Sequence, residues 1–288
     1  MTAPVVKLIE CPRDAMQGWH HQIPTAQKTE YLQTLLKVGF DTIDFGSFVS
    51  PKAIPQMADT KEVLASLDIS NTQSKLLAIV ANVRGAEEAV AVGVDKISYL
   101  GFPFSISETF QLRNTNKTMA ESLEEVQTMQ ELCIKNRMQL VVYISMGFGN
   151  PYEDPYSPEI ALKWVDELAA MDIQIISLAD TVGVAEPSNI QYLFSTLIPA
   201  YPEVEFGAHF HSAAHNWEEK VAAAYNEGCR RFDSTINGIG GCPMAKDELV
   251  GNLATENLLQ FFRNKQTAPQ LNAEALLEAQ RLAALVFR

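Results

Sequence analysis

The chain has 288 residues, 47% of them hydrophobic, enough to bury one large core or two modest ones. Its formal net charge of −13 argues against nucleic acid or an anionic membrane as the main partner, though a local basic patch can still hold a phosphorylated small ligand. No apolar run approaches the roughly 20 residues of a membrane span, and the N-terminus lacks the basic and apolar regions of a signal peptide.

Short β-branched runs predict eight strands, at 5–11, 42–48, 75–82, 96–102, 139–146, 173–179, 204–210 and 230–236. Amphipathic segments separate them, with apolar residues three or four apart. Examples are Tyr31, Leu32, Leu35 and Leu36, then Leu162, Val165 and Leu168, then Val221, Ala224 and Tyr225. Helix ends are expected at Gly39, Gly93 and Gly228, where a left-handed cap costs glycine little. Helix starts are expected at Ser157-Pro158-Glu159 and Glu186-Pro187-Ser188, with proline in the first turn. Ala273 to Phe287 predicts a further helix, and no linker or low-complexity tract divides the chain. The four cysteines, Cys11, Cys133, Cys229 and Cys242, form no CxxC pair, so a reduced, cytoplasmic protein is expected.

Eight β–α units in about 265 residues predict a (β/α)8 TIM barrel. It is expected as a single α/β domain over 1–288, with the barrel at about 5–265 and the extra C-terminal helix at about 273–287. A doubly wound sheet fits less well, because no glycine-rich dinucleotide fingerprint follows the first strand.

Residues at the carboxyl ends of barrel strands face the active site. His209 and His211 end the seventh strand two positions apart, so both rings point the same way and two imidazoles can share a divalent cation. The alternative is one ring bonded in the core and one solvated. Arg13 and Asp14 follow the first strand, where an acid can reach a metal and a guanidinium can hold an oxyanion, or where the two form an ordinary salt bridge. An aspartate with imidazoles suits magnesium, manganese or similar ions. Asp44 lies inside the apolar second strand and needs a partner there, for which Arg13 is the natural choice. Asp180 ends the sixth strand as a rim acid or a loop cap. Gly238, Gly240 and Gly241 form a loop that delivers Cys242, as a proton donor over substrate or as an idle thiol. Asn252 precedes a helix expected near Ala254, either capping it or offering an amide oxygen to a metal.

Taken together, these residues resemble the 3-hydroxy-3-methylglutaryl-CoA lyase family of metal-dependent lyases. The resemblance runs through Pro12-Arg13-Asp14 with Gln17, Ser47-Phe48-Val49-Ser50-Pro51-Lys52 and Pro55-Gln56-Met57. It continues in Asp180-Thr181-Val182-Gly183-Val184, the histidine pair, Gly240-Gly241-Cys242-Pro243 and Gly251-Asn252-Leu253-Ala254-Thr255-Glu256. It implies a divalent cation, Mg or Mn, held by Asp14, His209, His211 and Asn252, with Arg13, Asp14 and Cys242 in the chemistry. It implies substrate contacts from Gln17, Asp44, Asp180 and Lys52, with Asn82 and Arg113 also at family-like loop positions. An acyl-CoA substrate is implied, as is a retro-Claisen cleavage to acetoacetate and acetyl-CoA. Members of that family often form homodimers.

The sequence also departs from the family pattern. Ile9 stands where a glutamate is usual, with Glu10 one place on and expected to face the opposite side. Asp44 replaces a glutamate, Ala15 a glycine and Ser212 an acid, and the interval from Cys242 to Asn252 is one residue longer. These changes keep open a related hydroxyacyl-CoA lyase, a Claisen condensing enzyme using an α-keto acid, and a non-catalytic barrel that binds metal or acyl-CoA.

Overall fold

The computed structural model describes residues 4–241 and 250–288. β1 (Lys7–Glu10), β2 (Thr42–Ser47), β3 (Lys75–Ile79), β4 (Ile97–Ser105), β5 (Gln139–Ser145), β6 (Ile175–Asp180), β7 (Glu205–Ser212) and β8 (Arg231–Ser234) are parallel. Each pairs with the next, and β8 pairs with β1, so the ring closes.

After β1 come α1 (Pro12–Gln17) and α2 (Thr25–Val38), α3 (Thr60–Ser66) follows β2, and α4 (Val83–Gly93) follows β3. α5 (Glu108–Thr115) and α6 (Met119–Lys135) follow β4. α7 (Pro158–Ala170), α8 (Pro187–Ala200) and α9 (Trp217–Asn226) follow β5, β6 and β7. A short strand, β9 (Gly251–Asn252), precedes α10 (Thr255–Asn264), and α11 (Ala273–Val286) comes last. The arrangement is the expected (β/α)8 TIM barrel with an added C-terminal helix. Among the described residues no helix is long and apolar enough to cross a membrane.

The strands bury both faces, which is why they read as near-continuous apolar runs. Their outward residues join the helices in the larger core, while Leu77, Tyr99, Val141, Tyr143 and Ile175 fill the lumen. β7 shows how this alternation places chemistry. Phe206, Ala208 and Phe210 face the helices, and Phe210 packs edge-on against Phe148 and Phe194 at ring distances of 5.6 and 6.5 Å. With those anchors buried, His209 and His211 must point to the inside.

The strand ends differ from the sequence expectation where a neighbour decides them. β7 runs on to Ser212 because β9 pairs with it antiparallel, setting Asn252 opposite His211. Gly39 caps α2 in the left-handed region, as expected. Gly93 does not cap α4 but lies within it, and an added Cβ would collide with the Ile97 side chain. Its glycine is required by helix–strand packing. α7 and α8 begin at Pro158 and Pro187, as the sequence predicts. α11 is capped by Asn272 and leans on α2, with the Phe287 ring 5.3 Å from Trp19 and 6.1 Å from Tyr31.

Candidate active site

A cavity of about 440 Å³ opens at the carboxyl ends of the strands. Its polar wall comes from Arg13, Asp14, Asp44, His209, His211 and Asp233, and its apolar wall from Val49, Ala53, Ile54, Ile79, Pro103 and Phe110. Polar and apolar groups meeting in one concave site is the usual design for holding and orienting a small ligand.

Asp14, His209 and His211 offer ligand atoms that all lie within 4.8 Å of one another. Each imidazole is aimed by a bond at its far nitrogen. His209 Nδ1 lies 3.0 Å from Asp233 Oδ2, and His211 Nδ1 lies 2.8 Å from the Thr181 carbonyl oxygen. Both acceptors call for a proton on Nδ1, which leaves the Nε2 lone pairs free. His211 Nε2 is buried and meets no hydrogen-bond partner among the described residues. An orphaned lone pair at that depth is costly without a cation to use it. One carboxylate and two imidazoles also suit a divalent ion of borderline hardness. These residues therefore fit a resident metal.

The charges on Asp14 and His211 agree with that fit, whereas His209 has to give up a proton to a bound cation. Burial works against ionised Asp14, yet Arg13, both imidazoles and Asn252 outweigh it and hold the carboxyl below its ordinary value. Burial also works against a charged His209, but Asp233 holds its pKa above the usual imidazole value. Burial and the neighbouring His209 keep His211 below it. Metal binding needs an ionised acid and neutral rings.

Arg13 and Asp44 form the pair expected from a buried acid. Arg13 Nε lies 3.2 and 3.0 Å from the two Asp44 oxygens, and Nη2 donates to Oδ2. Arg13 Nη1 reaches Asp14 Oδ1 at 3.0 Å. Burial pushes the Asp44 carboxyl up to about 6 against the pull of Arg13. Gln17 Nε2 donates to Asp14 Oδ1 at 2.7 Å and lines the cavity, as does Arg113.

Three expected site residues stand differently, and a fourth is not described. Asp180 faces the helices, bonded to Lys220 at 2.8 Å and accepting the Ala185 N–H at 3.1 Å, so it supports a loop from behind the cavity wall. Its parity on β6 matches outward Ile176 and Leu178. Lys52 is exposed and outside the cavity lining, beside lining residues Ala53 and Ile54. Asn252 reaches the site despite the longer interval, but its Nδ2 donates to Asp14 Oδ2 at 2.7 Å and to the Ile239 carbonyl at 3.1 Å. A half-turn of the amide is needed to offer its oxygen. Cys242 lies outside the described residues. Asn82, another loop candidate, caps α4 by accepting the Gly85 N–H at 2.9 Å.

Glu10 faces away from Ile9, as expected, and takes up a structural post. Its oxygens meet the Ile236 N–H at 2.8 Å and the Thr255 hydroxyl at 2.6 Å. Burial pushes its carboxyl up to about 8. Asp233 is the functional candidate that sequence inspection missed. Its signal is weaker than that of Asp44, because the acid sits in a short strand that also carries Arg231 and Ser234.

The HMGL-like family model matches residues 6–283. A 3-hydroxy-3-isohexenylglutaryl-CoA/hydroxy-methylglutaryl-CoA lyase of Pseudomonas aeruginosa is 32% identical, over 98% of this chain and 93% of its own. The mitochondrial hydroxymethylglutaryl-CoA lyase of Mus musculus is also 32% identical, over 95% of this chain and 83% of its own. A solved HMG-CoA lyase from Acinetobacter baumannii, in complex with coenzyme A and 3-methylmalate, superposes with a TM-score of 0.90 at 30% identity. That match covers 98% of this chain and 91% of the other. With near-complete coverage in sequence and in structure, the chain belongs to the HMGL-like family.

Proposed function

We propose that this protein is a metal-dependent carbon–carbon lyase that cleaves 3-hydroxy-3-methylglutaryl-CoA to acetoacetate and acetyl-CoA. The observation that carries the proposal is the convergence of Asp14, His209 and His211 beside the Arg13 guanidinium in one cavity. Asp14, His209 and His211 hold the cation, magnesium or manganese, with Asn252 joining after its amide turns. When bound, the cation supplies a Lewis acid that polarises substrate oxygens.

The cleavage balances without a consumed cofactor. The C3 hydroxyl loses its proton, the C3–O bond becomes a carbonyl, and the C2–C3 electron pair moves into the thioester as an enolate. C2 then takes a proton. Arg13 spends Nε, one Nη1 hydrogen and one Nη2 hydrogen on Asp44 and Asp14. Two of its five N–H groups remain for the enolate oxygen. A cation already fixed in place stabilises that charge well, because it needs no reorganisation as the charge forms. The family resemblance assigns the C2 proton to Cys242. The acyl-CoA enters past the exposed rim that carries Lys52 and Arg113.

The free, buried thiols of Cys11, Cys133 and Cys229 support a reducing, cytoplasmic setting. The test is acetoacetate release from (S)-3-hydroxy-3-methylglutaryl-CoA by protein loaded with Mg or Mn. Turnover that chelation abolishes and metal restores is the expected result. Absence of cleavage beside an active control lyase sinks the substrate assignment, and a panel of other 3-hydroxyacyl-CoA thioesters then identifies the replacement.

A further inference from the structure

Lys220 lies in the first turns of α9, behind the barrel wall, and is almost wholly buried. Its ammonium has three N–H donors, and it meets three acceptors. These are Asp180 Oδ2 at 2.8 Å, the Gly183 carbonyl at 2.9 Å and the carbonyl of His211 itself at 3.1 Å. The other Asp180 oxygen accepts the Ala185 N–H, so the ion pair grips the turn after β6 at both of its borders. Inside that turn, Gly183 at φ +75° makes the bend. Thr181 in the same turn supplies the carbonyl that receives His211 Nδ1, and its hydroxyl accepts the Met146 N–H at 2.8 Å from the end of β5. One cation is therefore bonded to the backbone of His211 and to the turn that aims its ring.

We infer that Lys220 is a positioning residue for His211, fixing the place and the direction of that imidazole from behind the cavity. The inference rests on the metal centre proposed above. Stability alone gives no reason for such a pair, since taking two charges out of water is costly and a well-packed apolar replacement is often at least as stable. Geometry does give a reason. An apolar side chain in the same space leaves the His211 and Gly183 carbonyls without their donor, and both the strand end and the turn are then free to shift. A metal ligand tolerates little such freedom, because its lone pair must stay on a shared point.

The test compares wild type with Lys220→Met and with Lys220→Met/Asp180→Asn. The single variant strands the Asp180 carboxylate in the core and is expected to lose stability. The double variant removes that charge and, by far-UV circular dichroism, keeps the fold. Two measurements are made on folded protein: Mn²⁺ titration by calorimetry, and ring ¹⁵N shifts of His211 in metal-free, ¹⁵N-histidine-labelled samples. The double variant is expected to bind Mn²⁺ about 10- to 100-fold more weakly, and its His211 ring to lose the single Nδ1–H tautomer of wild type. A folded double variant with wild-type Mn²⁺ affinity and an unchanged tautomer overturns the role given to Lys220. A wild-type protein that binds no Mn²⁺ overturns the metal centre instead, and the ring shifts then decide the role of Lys220 by themselves.

Discussion

The Asp233 carboxylate stands 3.0 Å from His209 Nδ1, behind the ring that groups with Asp14 and His211. Asp233 therefore sets the tautomer and raises the basicity of the ring. Asp233→Asn is expected to weaken Mn²⁺ binding by about 10- to 100-fold at neutral pH. It also removes what holds the His209 pKa above its ordinary value. Protons compete with metal for His209, so wild-type binding is lost as pH falls through that raised pKa, and the variant loses its remaining binding only at lower pH. Calorimetric titrations across a pH series check both effects, and a variant with an unmoved acid limb contradicts the assignment.

Arg13 divides its donors between Asp44, Asp14 and the cavity, which only a fork of five N–H groups can do. Lysine offers three donors and no plane. Arg13→Lys is expected to lower kcat by about 10²- to 10³-fold, the scale for losing an oxyanion donor, with a far smaller change in KM. Steady-state kinetics on metal-saturated protein give the split. A variant affected mainly in KM places Arg13 in ground-state binding.

Much of this architecture was legible in the chain because strand alternation leaves strong traces. His209 and His211 share a parity, and Phe210 between them had to go to the core. Asp44 needed a buried partner, and Arg13 was the cation in reach. Asp180 was harder, because β6 is buried on both faces and its parity shows only when Ile176 and Leu178 are seen against the helices. Lys220 follows Glu218 and Glu219 and reads as part of a solvated helix face, so its three buried bonds depend on a tertiary contact that no local pattern records. Gly93 misled for the converse reason, since glycine serves close packing as well as caps.

Burial favours the protonated form of the Glu10 carboxyl, against the two donors that meet its oxygens. Its pKa rises from 4.5 to about 8, chiefly by burial. The Thr255 hydroxyl, 2.9 Å from Ser234 Oγ, donates to Glu10 Oε2 and offsets part of that burial. Between about 4.5 and about 8 the native state holds a proton that the unfolded state has released, so stability falls with rising pH across that window. Glu10→Gln imitates the neutral form. It is expected to flatten this dependence and to be more stable than wild type at pH 8, by several kcal/mol at most, in urea unfolding series run at several pH values. A wild-type stability curve that is flat across the window contradicts the buried neutral acid.

Gly240 packs flat against the site. At φ +97°, an added Cβ would stand 2.8 Å from Asn252 Nδ2, 2.9 Å from Ala15 Cα and 3.0 Å from the Asp14 carbonyl oxygen. Two of those atoms are backbone and cannot swing aside. Gly240→Ala is expected to cost about 1–3 kcal/mol in stability and at least about tenfold in Mn²⁺ affinity, as Asp14 and Asn252 are pushed apart. Thermal melts and metal titrations give the two figures, and unchanged metal affinity shows that the loop yields without disturbing the ligands.

The bond between Asn252 and Asp14 joins residues 238 positions apart, and that between Thr255 and Glu10 spans 245. The two contacts seal the first strand to the last part of the barrel. During synthesis the ribosome releases Asp14 long before Asn252 exists, so the centre cannot assemble on a growing chain and must wait for the ring to shut. Contacts so far apart in sequence are the kind that slow folding. The site around Asp14 is therefore complete only where the two ends of the chain's barrel meet, so any change that loosens that seam reaches the site as well.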